Sequence, residues 1–438
     1  MDAPPAPAPP HDPSRCAAAH PAAPARPERS RTSTPHTLTP EEVLSGTKLL
    51  RTALTGIVLS ATALTTLQGT ALAADATKAP KAQPAAAAPA ASTVGGIEAE
   101  TARALAESLT DAAWRNRVRN AALASEEVDL QALTAAAPAG AGRELKAEVA
   151  DADVRIAEAK GLGSDIGSLL RVRLADASMR EDLTARTAPL VAAAPADDDA
   201  STITAYDSRG AAHELDADTV PERPVYIVGV DGAKAVRAGL EVLNEELDRQ
   251  GLASPAQQTG TKSGSRALAD IGTNSTGFWT TKITSVSVGD LKEPWFKGDA
   301  EVFTLVTGFG KDGVPRVDPV QMPYLDSENT TYYPNQVLVN WSNYKYNLAD
   351  AVMMEDDGDT NYQSLAKAIA AVLLTITDQG MYIPLVDALL DAVPTSWWTD
   401  DPDYVDSWYT LAKEYTGRRN GAAANGWMNV QPYWVSAL

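Results

Sequence analysis

The chain has 438 residues and a formal net charge of −20, with 57 acidic side chains against 37 Lys and Arg. An anionic balance of this size excludes a nucleic-acid partner, which needs clustered cations against phosphate. The one cysteine, Cys16, and three of the four histidines, His11, His20 and His36, precede the first expected ordered region. That leaves His213 alone and excludes disulfides, thiolate nucleophiles and His- or Cys-ligated zinc from the remainder.

Residues 1–42 are crowded with Pro, Ala, Arg and His, lack an apolar period, and read as a disordered or untranslated leader. Residues 43–73 have the order of an export signal: Lys48 and Arg51, an apolar run from Ala53 to Leu67, then the small-residue site Ala71-Leu72-Ala73. Cleavage after Ala73, a translation start near Val43 and an extracellular protein without a transmembrane segment in its mature chain are the expectations. An Ala, Pro and Lys linker follows over 74–96.

From Ile97 to about Leu183 the apolar spacing predicts helices. Leu105 and Leu109, Trp114 and Val118, and Leu145, Val149 and Ile156 form stripes, with a cap at Thr110 or Asp111. A further helix is expected through Ile166, Leu169, Leu170 and Leu174. Strands are predicted over 190–194, 202–206 and 211–215, with a buried strand over 224–230. A helix carrying Val236, Leu240, Leu243 and Leu247 ends at Gly251. Residues 252–277 read as a polar linker.

The region 278–438 holds strand candidates at 282–288, 301–308, 336–341 and 349–354, helices over 361–377 and 383–392, and a last strand over 427–435. The fold class expected is α+β: an N-terminal helical and small α+β region, 97–251, followed by a β-sandwich-like domain with helical insertions.

Two acidic turns carry the chemistry. One holds Asp290, Glu293 and Asp299, with Glu301 entering the next strand; the other holds Glu355, Asp356, Asp357 and Asp359. Calcium takes six to eight oxygens at flexible geometry, so acidic loops converging at one end of a sandwich suit it. The competing reading is a solvated loop in which Asp359 or Thr360 caps the following helix. A second acidic set, Asp400, Asp401, Asp403 and Asp406, is interleaved with Trp397, Trp398, Tyr404, Trp408 and Tyr409. It reads either as a carbohydrate platform or, preferably, as aromatic packing with solvated acids. His213 reads as a surface residue of a hairpin.

The order Ile283 to Val306, with Asp290-Leu291 and Lys297-Gly298-Asp299 before the strand near Val302, resembles the opening of a C2-type β-sandwich. That resemblance implies calcium ligands at Asp290 and Asp299 and at the late cluster Asp356, Asp357 and Asp359. Glu293-Pro294-Trp295 and Met322-Pro323-Tyr324-Leu325-Asp326 are similar to a secreted bacterial family of domains of unknown function, which implies export and no assigned activity. The leading functional expectation is a secreted, non-enzymatic binding or surface-associated protein with a calcium site between acidic loops. Its ligand would be extracellular, such as a carbohydrate or a cell surface. The alternative is a secreted carboxylate-dependent hydrolase such as a glycosidase, which requires a cleft with two facing acids.

Overall fold

In the computed structural model, two helices on either side of Asp111 open the described chain. The structure describes residues 93–137, 139–194, 200–254, 277–291, 295–356, 358–392 and 404–436. The leader, the export signal and nearly all of the linker before residue 97 lie outside these, as do Asp357, Glu293, Trp397, Trp398, Asp400, Asp401 and Asp403. Helix α1 (Val94–Ser108) buries Ile97, Leu105 and Ala106. Asp111 caps α2 (Ala112–Ala124) by accepting the N–H groups of Ala113 and Trp114. After a short strand β1 (Glu127–Asp129) come α3 (Leu130–Ala135) and α4 (Ala141–Ala159). Gly142 admits the Trp114 ring, since a Cβ there would lie 2.4 Å from it.

The helix expected through Ile166 and Leu174 is instead strand β2 (Leu170–Leu174). Leu170, Val172 and Leu174 point inward while Arg171 and Arg173 alternate with them, so the period is two. The helical spacing of Ile166, Leu169, Leu170 and Leu174 was coincidental. Strands β3 (Leu190–Ala193), β4 (Thr202–Tyr206), β5 (Ala212–Asp216) and β6 (Val225–Val230), and helix α5 (Gly232–Arg249), follow the expected pattern. The sheet order is β1-β2-β6-β3-β4-β5, antiparallel except for the parallel pair β3 and β6.

The second half contributes β7 (Phe278–Val288), β8 (Val302–Phe309), β9 (Pro315–Gln321), β10 (Gln336–Asn340) and β11 (Leu348–Glu355). Helices α6 (Tyr362–Leu373) and α7 (Val386–Ala392) follow, then β12 (Tyr404–Ala412), β13 (Gly417–Asn420) and β14 (Gly426–Val435). These strands make two four-stranded antiparallel sheets, β10-β7-β14-β13 and β12-β11-β8-β9, in a β-sandwich-like pair. One apolar core, with Ile283, Val286, Val306, Met353, Trp408 and Met428, lies between them. The alternate residues Phe303, Leu305, Val352 and Met354 belong to a second core shared with α1, α4, α5 and α6. Both faces of β8 and β11 are therefore covered, which is why these strands read as continuous apolar runs. The regions 97–251 and 278–438 share this core, so the boundaries at 251 and 278 do not separate independent hydrophobic interiors. No helix among the described residues is long and apolar enough to cross a membrane.

The two halves are tied by one buried ion pair. Lys160, the C-cap of α4, donates through Nζ to both carboxylate oxygens of Asp356 at 3.1 Å and to the Gly358 carbonyl at 2.6 Å. Their side chains are 0% and 1% exposed. The Tyr362 hydroxyl donates to Asp356 at 2.9 Å, and the Tyr362 N–H donates to the Lys160 carbonyl. Asn361 caps α6, in place of the expected Asp359 or Thr360, and its amide also donates to the Ala159 carbonyl. The Tyr362 ring lies on α5 where Gly239 leaves room; a Cβ there would be 2.3 Å from the ring.

Lys160→Met is expected to lower the unfolding free energy by about 3–5 kcal/mol, because it strands a buried carboxylate, while Lys160→Met with Asp356→Leu regains part of that loss. Gly239→Ala should cost about 1–3 kcal/mol, since the ring is anchored through its hydroxyl and cannot retreat. Denaturant titration of the three variants checks both statements.

Candidate functional site

The turn after β11 and the start of β8 meet by strand pairing, Glu355 standing opposite Val302. The second acidic turn is therefore placed beside the last part of the first. Together they roof a cavity of about 110 Å³ whose floor is formed by β2 and β6 and whose side is the first turn of α1. Three of the expected residues, Asp299, Asp356 and Asp359, line it. Asp290 does not: it is exposed at the end of β7, where its backbone N–H and C=O pair with the Asn425 amide at 2.9 and 2.8 Å. Asp357 lies outside the described residues. Among the described residues no group of three or more His, Cys, Asp and Glu is placed to hold a metal ion.

Each acid in the cleft has a distinct environment. Asp356 is committed to Lys160 and Tyr362. Asp359 accepts the N–H of Val94, the first residue of α1, at 3.1 Å, a favourable place for negative charge at a helix start. Glu301 packs on Gly232 at the start of α5, where a Cβ would lie 2.2 Å from its carboxyl. Glu98, from α1, is 8% exposed and lines the cavity. Burial, and next the Asp359 carboxylate, push its carboxyl up to about 8 against the opposing influence of Lys160 and the Val230 N–H. At the mouth, Glu127 is raised by burial of its carboxyl and then by Asp231, although the residue as a whole is exposed at the sheet edge. Asp299 is raised by burial, then by Asp326 and Glu126.

The cations of the wall are bound to the protein itself. Arg171 reaches Asp231 at 2.5 Å and Asp129 at 3.2 Å. Arg173 donates to the Phe296 carbonyl at 2.6 Å and to the Ala175 carbonyl at 3.1 Å. Both side chains face the cleft because β2 alternates Leu170, Val172 and Leu174 toward the core. Glu98, Lys160, Arg171 and Arg173 escaped the sequence analysis. The alternation Arg171-Val172-Arg173 was the available signal, hidden by the helical spacing of neighbouring leucines.

Elsewhere, Asp406 is turned inward and accepts the N–H groups of Ser407, Ala423, Asn425 and Gly426, so it organises the turn before β14. Trp408 is buried in the sandwich core, consistent with aromatic packing there. His213 lies on the β4–β5 hairpin with its ring 3.1 Å from Asp207.

Comparison with known proteins returns one family model, described as a protein of unknown function, DUF3103, matching residues 100–437. No curated protein and no solved structure matches the chain. The matched span takes in both halves of the described structure and the cleft apart from Val94, Gly95 and Glu98, and the chain belongs to the DUF3103 family.

Proposed function

We propose that this is a non-enzymatic binding protein whose site is the cleft roofed by the two acidic turns, and that its ligand is a small organic cation bearing an ammonium group. The observation that carries this reading is Glu98, a carboxyl facing the cavity at 8% exposure. Among the described residues it has no side-chain cation at ion-pair distance, while Lys160 and Arg171 are engaged with other carboxylates. A buried carboxyl without a side-chain cation at ion-pair distance favours a partner that brings positive charge and N–H donors. Calcium, expected from the acidic turns, is the weaker candidate: with Asp356 held by Lys160, the expected set has lost a ligand that a six- to eight-oxygen shell would need. Export through residues 43–73 would place this binding outside the cell.

A carboxylate-dependent hydrolase is the second reading, favoured by the Glu98 carboxyl, raised by burial and by the Asp359 carboxylate beside it. It requires turnover of aryl glycosides that Glu98→Gln abolishes.

Titration calorimetry with propylammonium and with calcium tests the binding reading. Heat with propylammonium that Glu98→Gln weakens by about tenfold or more supports it, and absence of heat with propylammonium overturns it. Binding of a cation requires ionised Glu98, so affinity should rise by about tenfold per pH unit as pH increases toward 8 and level off above it. The same group sets a stability trend. With a carboxyl raised from 4.5 to about 8, the folded chain holds a proton that the unfolded chain has lost between those values. Unfolding free energy should therefore decline as pH rises through that window and flatten beyond it. Glu98→Gln should remove this component from a melting-temperature series.

A further inference from the structure

We infer that the cleft is the inner end of a longer groove and that the ligand is a linear aliphatic polyamine, an inference that rests on the organic-cation reading above. Past Arg173 and Asp299 the cavity opens into a second depression of about 730 Å³ between the end of α2 and the β7–β8 connection. The two share Glu127, Arg173, Gly298 and Asp299, so they adjoin at these residues.

Carboxyls and apolar residues line both depressions. Glu98 sits at the inner end, Glu127 and Asp299 at the neck, and Glu126 and Asp176 in the outer depression. Between and beside the last two lie Ala122, Ala177 and the half-buried Trp295, whose indole donates to the Ala217 carbonyl. The outer arginine, Arg180, is also occupied, donating to the Leu123 carbonyl. The carboxyls of Glu127 and Asp299 make no hydrogen bond or ion pair among the described residues, and both are raised in part by neighbouring carboxylates. Carboxyls thus outnumber cations in the lining of the two depressions. Ammonium groups separated by methylenes place charge against those carboxyls and hydrocarbon against the alanines and the indole. The inner cavity, at about 110 Å³, has room for the terminal aminoalkyl group.

Calorimetric titration of the purified mature chain with propylammonium, spermidine and tri-lysine tests this. Spermidine is expected to bind about tenfold or more tighter than propylammonium, because the second ammonium engages the neck without a second loss of translational freedom. Glu126→Gln, at an exposed position that lines the outer depression and not the inner cavity, should remove much of that advantage while leaving propylammonium within about twofold. Equal affinities for propylammonium and spermidine overturn the polyamine inference and leave the cation site standing. Absence of heat with both overturns the two together. Tighter binding of tri-lysine than of spermidine overturns the assignment in favour of a basic peptide.

Discussion

The pair between Lys160 and Asp356 is the contact on which the arrangement of this protein depends. Removing an ammonium and a carboxylate from water costs several kcal/mol for each ion, and attraction offsets that only when the remaining donors and acceptors are used. Here they are used: the ammonium reaches both carboxylate oxygens and the Gly358 carbonyl, and the carboxylate also accepts from Tyr362. Because Lys160 ends α4 and Asp356 follows β11, the pair fixes the N-terminal region against the sandwich. Asp359 is thereby presented to the N-terminus of α1, and the cleft takes its shape from that connection.

Packing reinforces the same junction. The β12-β11-β8-β9 sheet is covered on one face by its partner sheet and on the other by α5 and α6. Its central strands carry few polar side chains, and those present are bonded: Thr307 donates to the Arg316 carbonyl, and Asp350 accepts from Leu385 and Thr410. Burial, with the Leu385 and Thr410 N–H groups opposing it, raises the Asp350 carboxyl. A sheet buried on both faces resists sliding, because a one-residue shift would exchange the side chains of its two cores. The strand ends that form the cleft roof are held by that register.

The elements governed by a clear local period were legible in the sequence. The stripes of α1, α4, α5 and α6 and the runs of β6, β8 and β11 are apolar patterns whose spacing survives tertiary context. Other elements were decided by position in the fold. Strand β9 carries Pro315 and Pro319, which ordinarily argue against a strand, yet it is the edge of its sheet, where a missing N–H is tolerated. Strand β12 contains Asp406, whose carboxylate is matched by four backbone donors from residues up to 20 positions away. The meeting of Asp299 with the Asp356 turn was legible as a question of strand ends. The choice of Lys160 as the partner of Asp356 was not, because 196 residues separate them and only packing brings them together.

The cleft shows how a stable core and a strained site can coexist. Every cation whose position matters to the fold has a protein partner: Lys160 holds Asp356, Arg171 holds Asp231, and Arg173 holds two carbonyls. With these cations engaged by structure, Glu98 has none at ion-pair distance among the described residues, although Lys160 and Lys297 act on it from further away. A buried carboxylate in that position is costly, and burial with the neighbouring Asp359 carboxylate pushes the Glu98 carboxyl up to about 8. A carboxyl raised by burial and lining the cavity is the group that the proposed cation would meet first, its positive charge taking the place of the proton.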